Sequence, residues 1–144
     1  MSKIKFSSPR DAEDAFYQAI ENADLPAMMA VWSDDDASVC IHPGAPRLEG
    51  RGQIRESWQE IFESGPAMTF EVSDERITED TNLAIHLVRE EIAIEGELVS
   101  VMLSTNIYHR FNDSWRMMLH HSSPEPELIM DEYDLIPEVP AVLH

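Results

Sequence analysis

The sequence predicts an α+β domain: three N-terminal helices packed on a strongly curved, mainly antiparallel sheet. Three observations carry that expectation. Apolar residues recur at helical spacing in three early stretches. Later runs are long and rich in β-branched and aromatic residues. The links between those runs, "EDTN", "EGE" and "NDS", are too short for a parallel crossover, so the runs pair antiparallel.

The first helix has a marked start. Ser8 suits the N-cap, Pro9 the first helical position and Asp11 the third residue of a capping box. Ala12, Ala15, Phe16, Ala19, Ile20 and Ala23 then share one face, which carries the helix to about Asn22. Asp24 caps a second, shorter helix with Leu25, Met28, Met29 and Trp32 on its apolar side, and "SDDDAS" stops it. Val39 and Ile41 alternate with Cys40 and His42 in a short strand that Pro43 ends. Gly50 and Gly52 lead into a third helix striped by Ile54, Trp58, Ile61 and Phe62, which Ser64-Gly65-Pro66 terminates. Strands are expected over 67–78, 83–95, 98–111 and 115–123. On the third of these, Val99, Val101, Leu103, Thr105 and Ile107 read as the core face. Ser100, Met102, Ser104, Asn106 and Tyr108 then read as the outer one. Residues 1–124 form one domain on this reading. Residues 125–144 form an acidic, proline-containing arm that packs on its own domain or on a partner subunit.

The chain has 28 acidic against 10 basic residues, a formal charge of -18, which repels phosphate backbones and anionic headgroups. Nucleic acid and membrane partners are therefore not expected. Cys40 is the single cysteine, so no internal disulfide forms, and with no secretory leader pattern the cytoplasm is the expected location. Phosphate-cradling and dinucleotide fingerprints are missing, so no cofactor is expected. Neither a zinc-protease helix nor a cysteine ligand pattern points to a metal.

Three strings, "ENADLPAMMAVWSDDDASVCIHP", "GRGQIRESWQEIF" and "SWRMMLHHSS", occur in an order and spacing that resemble the nuclear transport factor 2-like superfamily. Within it the chain is similar to the SnoaL-like and ketosteroid isomerase-like branch. The resemblance implies a cone whose helices and concave sheet enclose an apolar pocket for a small apolar ligand. It also implies a homodimer through the outer sheet face. Members include isomerases, cyclases, lyases and non-catalytic binding modules, so the fold leaves the activity open.

The resemblance also nominates residues. The isomerases' basic aspartate, which precedes a proline, falls on His42 before Pro43, and an imidazole near neutrality can move a proton. The tyrosine that steadies an oxyanion falls on Phe16, with Tyr17 on the wrong helical face. The protonated acid falls on Ile107, or on Asn106 if the register slips by one. By the two-residue period Trp115, Met117, Leu119, His121 and Ser123 share a face, which the resemblance turns toward the pocket. His42 is accordingly expected to move a proton and His121 to hold the substrate or a water, the two forming the catalytic set, with Phe16, Met28, Trp32, Trp58, Ile107 and Ser123 around the substrate. His86 and His109 read as structural, and Cys40 as a small buried side chain. The alternative is a non-catalytic ligand-binding or dimerisation module.

Overall fold

The computed structural model describes residues 4–126. Helix α1 spans Pro9–Asn22, α2 Leu25–Val31 and α3 Arg51–Ser64. The strands are β1 Val39–Ile41, β2 Leu48–Glu49, β3 Thr69–Glu79, β4 Leu83–Ile94, β5 Glu97–Phe111 and β6 Ser114–Pro124. The expected α+β architecture is the observed one. Only the two-residue β2 has no counterpart in the sequence reading.

The caps act as their chemistry demands. Ser8 Oγ accepts from the Asp11 amide and Asp24 Oδ1 from the Ala27 amide, each satisfying a helical N–H with no partner inside its helix. One sheet holds all six strands in the order β2-β1-β6-β5-β4-β3. Its long members are antiparallel neighbours. Short β1 runs parallel to β6, setting Ile41 beside His121 and Cys40 beside His120.

Phe16, Ile20, Met28, Met29, Val31, Trp32, Ile54, Trp58, Tyr108 and Met117 are packed between helices and sheet. Full burial of each such side chain is worth about 1.5–3 kcal/mol. Alongside them the sheet's inner face carries a polar set: His86 and Glu90 on β4, Ser104 and Asn106 on β5, His120 and Ser122 on β6, all buried. The outer face carries Leu83 and Leu87 on β4 and Leu103 on β5, each between 42% and 46% exposed.

Two face assignments are therefore corrected. On β5 the inner set is Ser104, Asn106 and Tyr108, and the more apolar set with Leu103 and Ile107 faces outward. On β6, Ile107 pairs with Leu119 but the next residue, Tyr108, pairs with Met117, so Met118 is an extra residue in the strand. A bulge of one residue turns everything beyond it to the opposite face. Met117 thus stays inside, His120 and Ser122 follow it inside, and His121 and Ser123 end outside. The arm assigned to residues 125–144 lies beyond the described residues from position 127 onward.

Candidate functional site

His42 ends β1 in a half-buried position against α3. Its Nε2 lies 3.1 Å from Ser57 Oγ and 3.7 Å from Cys40 Sγ, and its ring meets Trp58 edge-on at 4.9 Å. The Ser57 hydroxyl donates to Ile54 O at 2.8 Å, which leaves its oxygen to accept from His42 Nε2–H. Burial pushes the imidazole's pKa below its usual value. The imidazole that shares its neighbourhood is His120. Burial, with His42 and His121 nearby, lowers the His120 pKa to about 3. His120 touches the Phe16 ring at 4.9 Å, and Phe16 in turn meets Trp58 at 5.7 Å.

From His120 a line of hydrogen bonds crosses the interior. Its Nδ1 lies 2.6 Å from Asn106 Oδ1, a carbonyl that can only accept. Asn106 Nδ2 donates to Tyr17 Oη at 3.0 Å, and the Tyr17 hydroxyl donates to Glu90. Each member hands a proton donor to the next, so the line is polarised toward the Glu90 carboxyl. Burial raises the pKa of both Tyr17 and Glu90, and the negative charge beside Tyr17 adds to its shift.

A second centre forms on Glu13, one turn before Tyr17 on the sheet-facing stripe of α1. His86 Nδ1 at 2.9 Å, Tyr108 Oη at 3.2 Å and Asn106 Nδ2 at 3.4 Å all converge on Glu13 Oε2. Arg10 NH1 reaches Glu13 Oε1 at 3.4 Å and Glu75 Oε1 at 2.8 Å, bridging two carboxylates. Burial pushes Glu13 up, but hydrogen bonds from its neighbours, His86 first, outweigh it and hold the pKa below the usual carboxylate value. Glu75 moves the other way, raised by burial and by its hydrogen bond with Glu13 against the pull of Arg10. A cleft of about 450 Å³ between α1 and β3 opens onto this pair, with Arg10 and Glu75 at its rim, Tyr17 in its floor and Phe70 and Val72 as its apolar wall. Glu13, Glu75 and His86 also bring one donor atom each within 4.8 Å of one another, a spacing that a cation could span. Arg10 already supplies positive charge there.

The predicted site residues divide into two groups. Phe16, Met28, Trp32 and Trp58 are at most 4% exposed and pack into the core, with Phe16 and Trp58 beside His120. His121 and Ser123 are corrected to the outer face by the Met118 bulge, and Ile107 by the outward turn of the more apolar face of β5. Tyr17, expected on the wrong helical face, points inward: the stripe of α1 is wide enough to bury both it and Phe16. Of the two positions weighed on β5, Asn106 faces in. His86, read from the sequence as structural, lies with its Nδ1 2.9 Å from Glu13 Oε2. Glu13 and Glu90 escaped the sequence reading because a lone glutamate in a helix or strand reads as solvent-facing. The signal available was the parity of β4, where His86 and Glu90 alternate with Leu87 and Arg89 beside buried Ala84 and Val88.

The chain is similar to several known proteins. The SnoaL-like domain family matches residues 10–126. A structure from Thiobacillus denitrificans, described as a calcium/calmodulin-dependent protein kinase type II association domain, superposes with a TM-score of 0.82 at 38% identity; the match covers 86% of this chain and 100% of that one. A structure from Streptomyces avermitilis, described as a dehydratase of the NTF2-like family, gives 0.73 at 29% identity over 81% of this chain and 92% of its own. F-box protein SKIP8 of Arabidopsis thaliana is 29% identical over 108 residues, 75% of this chain, and the chain spans 46% of that protein's length.

Proposed function

This chain belongs to the SnoaL-like domain family within the nuclear transport factor 2-like superfamily, and from that premise we propose that it binds a small hydroxyl- or carbonyl-bearing molecule in the α1–β3 cleft and moves a proton on it. The observation that carries the reading is the Glu13–Arg10–Glu75 arrangement at the cleft. Two carboxyl groups share one guanidinium while their surroundings push their proton affinities apart, the usual signature of an assigned base and acid. Glu13, holding its charge to lower pH, takes a proton beside a carbonyl. Glu75, holding its proton to higher pH, returns one to oxygen. Isomerisation or elimination follows from that exchange, and the relative described as a dehydratase supports the second. The cleft has the size of an ordinary small-molecule site, in the range of roughly 300–1,000 Å³. His42 keeps a supporting part in this reading, ordering the Trp58 wall behind His120.

The test is native mass spectrometry of the purified chain beside Glu75→Gln and Arg10→Met, two rim substitutions that leave the buried network in place. A small molecule retained by the parent and lost from both variants supports the site. Equal retention by all three overturns it.

A second reading has its own observation. The exposed apolar outer face, with Leu83 and Leu87, suits a module that joins copies of itself, and the relative described as an association domain supports it. The half of that face bearing Leu83, Ile85, Ile107 and Leu119 would form the contact, as a homodimer.

A further inference from the structure

The other half of the outer face holds a groove of about 350 Å³. Leu87 and Leu103 form an apolar part of its lining, and Arg76, Arg89 and His121 bring cationic or protonatable groups to it. Asp74, also in the lining, lies 3.0 Å from Arg76, and Arg89 is bonded by Glu91 at 2.8 Å and by Glu125, so each arginine of the groove has a carboxylate partner. The described chain ends beside it. After β6 the Glu125 amide donates to Val101 O at 2.9 Å, continuing the pairing with β5, and Glu125 Oε2 lies 2.6 Å from Arg89 Nε. The first carboxylate past the domain is therefore seated on one of the groove's own arginines.

The next residues in the sequence are Glu127, Leu128, Ile129, Met130, Asp131, Glu132, Tyr133, Asp134, Leu135 and Ile136. They alternate short apolar blocks with carboxylates and contain no Lys or Arg. Ten residues span at most about 33–36 Å when extended, so from Pro126 they can run along the outer face of the sheet.

We propose that residues 127–136 occupy this groove on their own domain, the Leu128–Met130 block covering Leu87 and Leu103. Three observations support this occupant: Glu125 seated on Arg89, a following segment long enough to reach along the face, and a partly exposed apolar floor of Leu87 and Leu103 that starts where the segment leaves the sheet. The inference stands apart from the cleft and from its chemistry. It predicts that the segment withholds this half of the outer face from other chains.

A nitroxide placed on the full chain through Tyr133→Cys tests it. Cys40 will not compete for the label, because it is fully buried and burial pushes its thiol up to about 12. The amide signals of Leu103, Thr105 and Ser123 should lose most of their intensity relative to the reduced label. They should recover it at high salt or in the chain that also carries Arg76→Glu and Arg89→Glu. Undiminished signals at these positions overturn the proposal. So does broadening that appears only when labelled chain is mixed with unlabelled isotope-enriched chain, which would give the groove to a second copy.

Discussion

The two faces of the long strands do not divide into an apolar core side and a polar solvent side. Inside, His86, Glu90, Asn106 and His120 are each at most 4% exposed. Outside, Leu83, Leu87 and Leu103 are more than two-fifths exposed. An antiparallel sheet with one covered face ordinarily turns its apolar residues toward the cover. The difference teaches that hydropathy marks two faces without saying which is buried. Here the interior tolerates polar side chains because almost every one has a partner, and the apolar set is left for something beyond the fold.

The largest expected effect of breaking that contrast is at Asn106. Replacing it with Leu strips a partner from His120 and Tyr17 and one from Glu13 at once. Unpaired buried groups of this kind cost about 3 kcal/mol together. Urea unfolding should show the loss, while Leu103→Ser on the outer face should change stability by no more than about 0.5 kcal/mol. Equal effects at the two positions would dissolve the comparison.

Acid sharpens it next. The His120 pKa is lowered from 6.5 to about 3 in the folded chain. The unfolded chain therefore binds a proton that the native one refuses across that window, and stability falls as pH drops through it. The slope from this group is about 1.4 kcal/mol per pH unit. Glu13, also lowered, adds loss of the same sign as pH falls from its ordinary value of 4.5 through its folded one. Glu90, raised, acts oppositely: its contribution is present at low pH and is lost as pH rises through its folded value. His120→Gln should flatten the profile between about 6.5 and about 3, read from unfolding midpoints at stepped pH. An unchanged slope would place the proton uptake elsewhere.

The smallest effect on stability, though not on behaviour, belongs to the outer face. Leu83→Glu with Ile85→Glu should leave monomer stability within about 0.5 kcal/mol per site and convert a dimer to a monomer in light scattering. A chain that is monomeric before the substitutions removes the association reading.

What the sequence made legible follows from local chemistry. Ser8 and Asp24 announce their helices because a side-chain oxygen beside free amides has one evident use. The short links between strands force antiparallel pairing. Faces were harder. Alternation on β6 was read straight through Met118, and one extra residue there exchanged His121 for His120 as the neighbour of His42. On β5 the more apolar set faces outward because Ser104 and Asn106 on the other face have buried polar partners in Ser122 and His120. Glu13 was invisible for a related reason: its burial depends on His86, Tyr108 and Asn106, which lie more than 70 positions away in the sequence.

The parallel pairing of β1 with β6 has a consequence for synthesis. Val39 meets Leu119, 80 positions further on, and no other long strand borders β1. While a ribosome is still making the chain, the helical half can gather its apolar stripes, but β1 has only the two-residue β2 beside it until the last strand clears the exit tunnel. The meander of β3 to β5 must form first, as successive hairpins of modest loop cost, and the closing step carries the long-range entropy. Nascent chains released before β6 is complete would therefore present the β6-facing edges of β1 and β5 unpaired, the species that chaperones would have to shield.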